Sequence, residues 1–186
     1  GNITVNQGLT DVIGVRANGF NDVLLQTLAA DGDIIVNAQI RSQNRDMSLR
    51  AGDDVVLNGE VTPVGQPIVS SGSIGSVLIQ AANGNADAVS GVEMTPNAFI
   101  SSPVSVRIET QNNGNILLGR IEANGVSLSA NGSILDGNDG VTPNTLNVLA
   151  SRLHMVATNG AIGGSDTGNS ADNNTNAIDT SVITLA

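Results

Sequence analysis

The chain has no cysteine, no tryptophan and no tyrosine, and its seven basic residues are all arginine. The missing cysteine excludes disulfides, zinc–thiolate centres and thiol nucleophiles. Only Phe20 and Phe99 are aromatic. A conventional globular core draws much of its buried area from large aromatic side chains, and a lectin-like sugar site needs a stacking platform; neither is available here. The basic residues, Arg16, Arg41, Arg45, Arg50, Arg107, Arg120 and Arg152, are outnumbered by 17 acidic ones, leaving a net charge of −10. Nucleic acid and anionic membrane surfaces both require a basic patch, so neither is an expected partner. No apolar run approaches the roughly 18 residues that span a bilayer. Strong helix signals are nearly absent, while Gly, Asn, Val, Ile and Thr are plentiful.

What is present is repetition. An alternating apolar run, a small residue, Gly, a polar residue and more aliphatic residues recur down the chain. The phrase reads VLLQTLAADGDIIVN from Val23, MSLRAGDDVVLNG from Met47 and VRIETQNNGNILLG from Val106. It returns as VSLSANGSILDGN from Val126 and LHMVATNGAIG from Leu153. A unit of this size cannot bury its apolar face alone, so stacked copies become the structure. Gly32, Gly52 and Gly75 are 20 and 23 residues apart, and Gly114 and Gly132 are 18 apart. The expected fold is all-β: a right-handed parallel β-helix (β-solenoid) with roughly 20 residues per rung and loop insertions. On that spacing about eight or nine rungs are expected over residues 1–186, as one solenoid segment with no linker between domains.

Asn-Gly pairs between alternating runs are also the strongest short hairpin signal, so an antiparallel sandwich is the rival fold. The constant internal order of the phrase and the shortage of aromatics favour the solenoid. On it, Val106, Ile108, Ile116, Leu118, Val126 and Leu128 are expected to point inward. Two segments read as loops leaving the rungs: VTPVGQPIVSSGSIG from Val61, and GGSDTGNSADNNTNAIDT from Gly163.

The segment NVLASRLHMVATNGAIGGSDTGNSADNNTNAIDTSVITLA resembles the strand repeats of very large bacterial surface proteins of the filamentous-haemagglutinin type. That resemblance implies an exported β-helical shaft, an adhesin stalk or surface filament, extracellular or on the bacterial cell surface. The Asn-Pro signature of that family's secretion domain does not occur here, so shaft rather than export domain is implied. The chain starts at Gly1 rather than Met and reads as a mature product or an excised piece of a longer array. Joined tail to head, its ends read VITLAGNITVN, the recurring phrase again. The expected partners are therefore neighbouring copies or repeats of the same protein, end to end, with a host or matrix ligand unspecified.

No enzyme activity is expected, and no catalytic, cofactor-binding or metal-binding residue is assigned. His154 is the only histidine and alternates with Leu153 and Met155, which places it on the outer face of a strand without a nucleophile beside it. Arg107 with Glu109 and Arg120 with Glu122 form i, i+2 pairs that should point outward as a charge ladder. A glycan-active β-helix enzyme would cluster acid and base groups on neighbouring rungs, and lysine is missing from the set. No cofactor is expected; the metal that the turns suit is Ca²⁺. Asp136, Asn138 and Asp139 share one tight turn, and the loop from Asp166 to Asp172 adds oxygens. The alternative function is accordingly a binding module whose loops, around residues 61–75 and 163–180, recognise a partner or Ca²⁺.

Overall fold

The structure is a computed structural model that describes residues 1–8, 13–58, 67–84, 91–96, 98–138, 146–163 and 177–185. Among them there are strands, turns and no helix. Alternating β-branched and aliphatic residues explain the strands: every second side chain can face one interior.

Six strands form the first sheet: β1 (Ile3–Val5), β4 (Ile34–Val36), β7 (Val55–Leu57), β10 (Gly91–Met94), β12 (Asn115–Leu118) and β14 (Ile134–Asp136). The remaining ten build the second: β2 (Ile13–Ala17), β3 (Val23–Gln26), β5 (Gln39–Ser42), β6 (Met47–Ala51), β8 (Val69–Ser70), β9 (Val77–Ala81), β11 (Phe99–Thr110), β13 (Arg120–Ala130), β15 (Val148–Ala157) and β16 (Thr180–Leu185). Every strand pairing is parallel. The antiparallel sandwich is therefore not the fold.

The path is repetitive. The chain passes through the first sheet, then through two successive stretches of the second, and returns to the first one level further on. In the early circuits the two stretches are separate strands, such as β5 and β6. In β11, β13 and β15 they fuse into one long strand. β11 still pairs separately with β8 and β9, and its register to β13 shifts between Ser102 and Ser105. That irregularity, at Pro103 and Val104, bends the second sheet into two faces.

Ile3, Ile34, Val55, Val92, Ile116, Ile134 and Ile162 stack one above another on the first sheet. Their spacings are 31, 21, 37, 24, 18 and 28 residues. The stack thus has seven levels rather than eight or nine, because most circuits are longer than the shortest. The second sheet carries matching rows, such as Val23, Met47, Val77, Val106, Val126, Leu153 and Leu185. The six residues expected to face inward, Val106, Ile108, Ile116, Leu118, Val126 and Leu128, are all buried. Neither Phe20 nor Phe99 is in the core, which among the described residues is built of Val, Ile, Leu, Ala and two methionines, Met47 and Met94.

Two expectations need correction. The segment from Val61 does not leave the rungs entirely: residues 61–66 lie outside the described set, but Ile68 and Val69 are fully buried and β8 is a rung strand. Its prolines hid a two-residue strand too short to show alternation. Similarly, residues 164–176 lie outside the described set, while Ile178 packs on the core and Thr180 opens β16. The second correction concerns the glycine anchors. A Cβ on Gly52 would lie 1.9 Å from the Ala29 carbonyl oxygen, and one on Gly84 would lie 2.6 Å from that of Gly52. Gly84, not Gly75, therefore continues the column of close backbone contacts. Gly75 belongs to a different corner, against the Arg45 carbonyl.

Candidate functional site

Three places concentrate chemistry: the turn leading into the first sheet, the turn after β14, and the outer surface of the second sheet.

The first holds Asp33, Asp53 and Asp54, whose carboxylate oxygens lie within 4.8 Å of one another. Asp53 and Asp54 are buried. The residues one position before each stacked aliphatic of the first sheet are Asn2, Asp33, Asp54, Gly91, Asn115, Ser133 and Ala161. Their side chains serve the next level. Asn2 Oδ1 accepts the Asp33 N–H at 3.1 Å, Asp33 Oδ1 that of Asp54 at 3.4 Å, and Asp54 Oδ1 that of Gly91 at 2.6 Å. Asn115 Oδ1 then accepts the Ser133 N–H at 2.7 Å, and Ser133 Oγ that of Ala161 at 3.1 Å. Backbone N–H groups left outside the strand ladders need acceptors, most of all the buried Gly91 N–H, and these side chains supply them between levels. Strand stacking thus engages two of the three carboxylates, Asp33 and Asp54. A second ladder runs along the far end of the first three levels: Asn37 donates to Asn6 Oδ1 at 3.0 Å, and Asn58 donates to Asn37 Oδ1.

The second place was the sequence candidate for Ca²⁺. Asp136 takes the register position after Leu118 on the first sheet. Its Oδ1 accepts the Asn138 backbone N–H at 2.8 Å and the Asn147 side-chain amide at 2.6 Å. Asn138 and Asn147 are buried, and their amides donate to the Gly119 carbonyl at 3.1 and 3.3 Å. Asn147 Oδ1 in turn accepts the Asp179 N–H at 2.8 Å. This polar network closes the interior where the aliphatic row ends at Leu118, and it engages Asp136 Oδ1. Asp139 and the loop from Asp166 to Asp172 lie outside the described residues.

The third place is the outer face. Arg107 is ion-paired with Glu109, and Arg120 with Glu122, both pairs pointing outward as the i, i+2 spacing requires. Such exposed pairs stabilise little. Arg120 also lies over the Phe99 ring, 5.0 Å from its centroid. His154 is exposed on the outer face, in register with Ser127 and, beyond it, Arg107. No hydroxyl or carboxylate is hydrogen-bonded to it among the described residues, so no nucleophile–base pair is assembled there. A groove of about 530 Å³ crosses the levels at the bend of the second sheet, between Ser102, Asn124, Ser151 and Ile183. A smaller pocket of about 340 Å³ adjoins it around Gly125 and Arg152. Sequence reading missed the acceptor ladder and this pocket. The ladder had a signal, Asp, Asn or Ser directly before an aliphatic pair at four levels (Asp33, Asp54, Asn115 and Ser133); the pocket had none, since it depends on which residues share a register. No family model, no curated protein and no solved structure matches the chain.

Proposed function

We propose that the chain is a shaft segment of a large extracellular bacterial surface protein, built as a right-handed parallel β-helix, with stiffness rather than catalysis as its contribution. The single observation that supports this reading most is the stack of seven parallel levels around a non-aromatic hydrophobic core, seen among the described residues. Right-handedness is the ordinary sense of a parallel crossover. At a strand separation of ~4.8 Å, seven levels extend about 30 Å. Two interior rows are uncovered at their last level, at Ile162 and Leu185. In the row that begins at Val23, every residue from Val23 to Leu153 is at most 7% exposed, whereas Leu185 is 65% exposed. Among the described residues, β16 pairs only with β15, and β1, β2 and β3 pair only with the level after them. On this reading a further level, from the same polypeptide or a second copy, continues the sheets at those edges.

The test is sedimentation equilibrium across a wide concentration range, combined with small-angle scattering. A shaft segment associates end to end into particles whose length grows while their cross-section stays constant. A strictly monomeric particle, or association that thickens the cross-section, overturns the reading. A Ca²⁺ titration of the melting temperature accompanies it, because a specific site on the folded state would raise the midpoint by mass action. The shaft reading expects no such rise.

A further inference from the structure

Gly125 is unlike the other glycines inside the strands. A Cβ on Gly14 in β2 or on Gly91 in β10 would meet another atom at 2.4 Å. A Cβ on Gly125 would meet nothing nearer than 3.9 Å, and one of the two atoms at that distance is a guanidinium nitrogen of Arg152. Stacking does not require a glycine here. Its effect is to leave a gap on the outer face, between Ser105 on one side and Arg152 on the other, which are its register partners.

That gap is the floor of the pocket of about 340 Å³. Its polar side chains are Ser105, Arg107, Ser127, Arg152, His154 and Thr184. Each can donate a hydrogen bond, and none is a carboxylate. Arg107 is held by Glu109, whereas Arg152 makes no ion pair or hydrogen bond among the described residues. Arg41 and Arg50 are also without such partners among the described residues, but Arg152 alone of the three lines this pocket, with hydroxyls and an imidazole around it. A guanidinium fork matches the geometry of a carboxylate, sulfate or phosphate oxygen pair. The pocket opens into the groove of about 530 Å³: Asn124, Ser151 and Ile183 line the groove, and their chain neighbours Gly125, Arg152 and Thr184 line the pocket.

We infer that this pocket binds a single oxyanion group, a carboxylate, sulfate or phosphate, carried by a ligand whose uncharged remainder lies along the adjoining groove. The overall negative charge disfavours a polyanion, which would be repelled along most of the surface, and favours a ligand with one anionic group. The inference does not rest on the shaft reading, since the pocket is made entirely by β11, β13, β15 and β16.

The only histidine, His154, is one wall of the pocket, so its imidazole resonances are an unambiguous reporter. The probes are sodium sulfate, phosphate and acetate, each titrated at constant pH and constant ionic strength with chloride as balance. The expected result is a saturable shift of the His154 signals with at least one of these anions, weakened at least tenfold in Arg152→Gln. Gly125→Gln, which fills the floor, should weaken it similarly. Circular dichroism and melting temperature confirm that both variants remain folded. Saturation with acetate alone assigns a carboxylate ligand, and saturation with sulfate or phosphate alone assigns a tetrahedral one. No saturable shift with any of the three, a chloride titration that reproduces the shift, or undiminished binding in Arg152→Gln overturns the inference.

Discussion

Replacing Ile108 with alanine separates a stacked interior from a loosely collapsed one. Ile108 is fully buried and sits in the middle of the row Leu25, Leu49, Ile79, Ile108, Leu128 and Met155. The substitution removes three carbons, about 2.4 kcal/mol at roughly 0.8 kcal/mol each. The levels on either side are held by their own ladders and cannot close the gap, so a cavity term adds to this and the total should be about 3–4 kcal/mol. Leu25→Ala removes as many carbons from the same row, but at the first level, where the side chain is only partly buried. Its cost should be about half as large. Equilibrium urea unfolding, followed by far-UV circular dichroism, measures both, with the slope checked for each variant. If Leu25→Ala were as costly as Ile108→Ala, or if Ile108→Ala cost under 1 kcal/mol, the row would not be a row and the reasoning would fail.

Three other outcomes are expected. Arg107→Ala should change stability by about 0.5 kcal/mol or less in the same assay, since its pairing with Glu109 is solvent-exposed. Asp54→Ala should cost about 1–3 kcal/mol by stranding the Gly91 N–H, while Asp54→Asn, which keeps an acceptor oxygen, should cost less; equal losses would argue against the acceptor ladder. Gly52→Ala should be severely destabilising because its Cβ would overlap the Ala29 carbonyl, whereas Gly125→Ala should leave the melting temperature nearly unchanged.

The repeated phrase made the direction of the strands legible before their pairing was known. Its constant order, apolar run then Gly then apolar run, is what a path through two sheets with a tight turn between them produces. The interior was legible for the same reason: Val106, Ile108, Val126 and Leu128 alternate strictly, and period two leaves only one face for them. Level count was not legible, because glycine marks more than one corner; Gly75 and Gly84 look alike in sequence but meet different backbones. β8 was missed because two residues, Val69 and Ser70, are too few to alternate. The C-terminal phrase VITLA also misleads. Val182 pairs with Ala150 in the first stretch of β15, whereas Val126 of VSLSA occupies the second stretch of β13 and pairs with Leu153. Like phrases thus sit at different places in the circuit. Among the candidate sites, the Asp136 turn was read for its oxygens, yet two buried asparagines, one of them 11 residues away, decide what that carboxylate does. Such pairings are set by stacking, which a linear pattern does not contain.

The most direct test of the parallel stack is a set of methyl–methyl nuclear Overhauser contacts between β9 and β11. The account predicts Val77 with Val106, Ile79 with Ile108 and Ala81 with Thr110, in that order along both strands. The same order should continue from β11 to β13, Val106 with Val126 and Ile108 with Leu128. Contacts in the reverse order, Val77 with Thr110 and Ala81 with Val106, would mean antiparallel pairing and would contradict the account at its foundation.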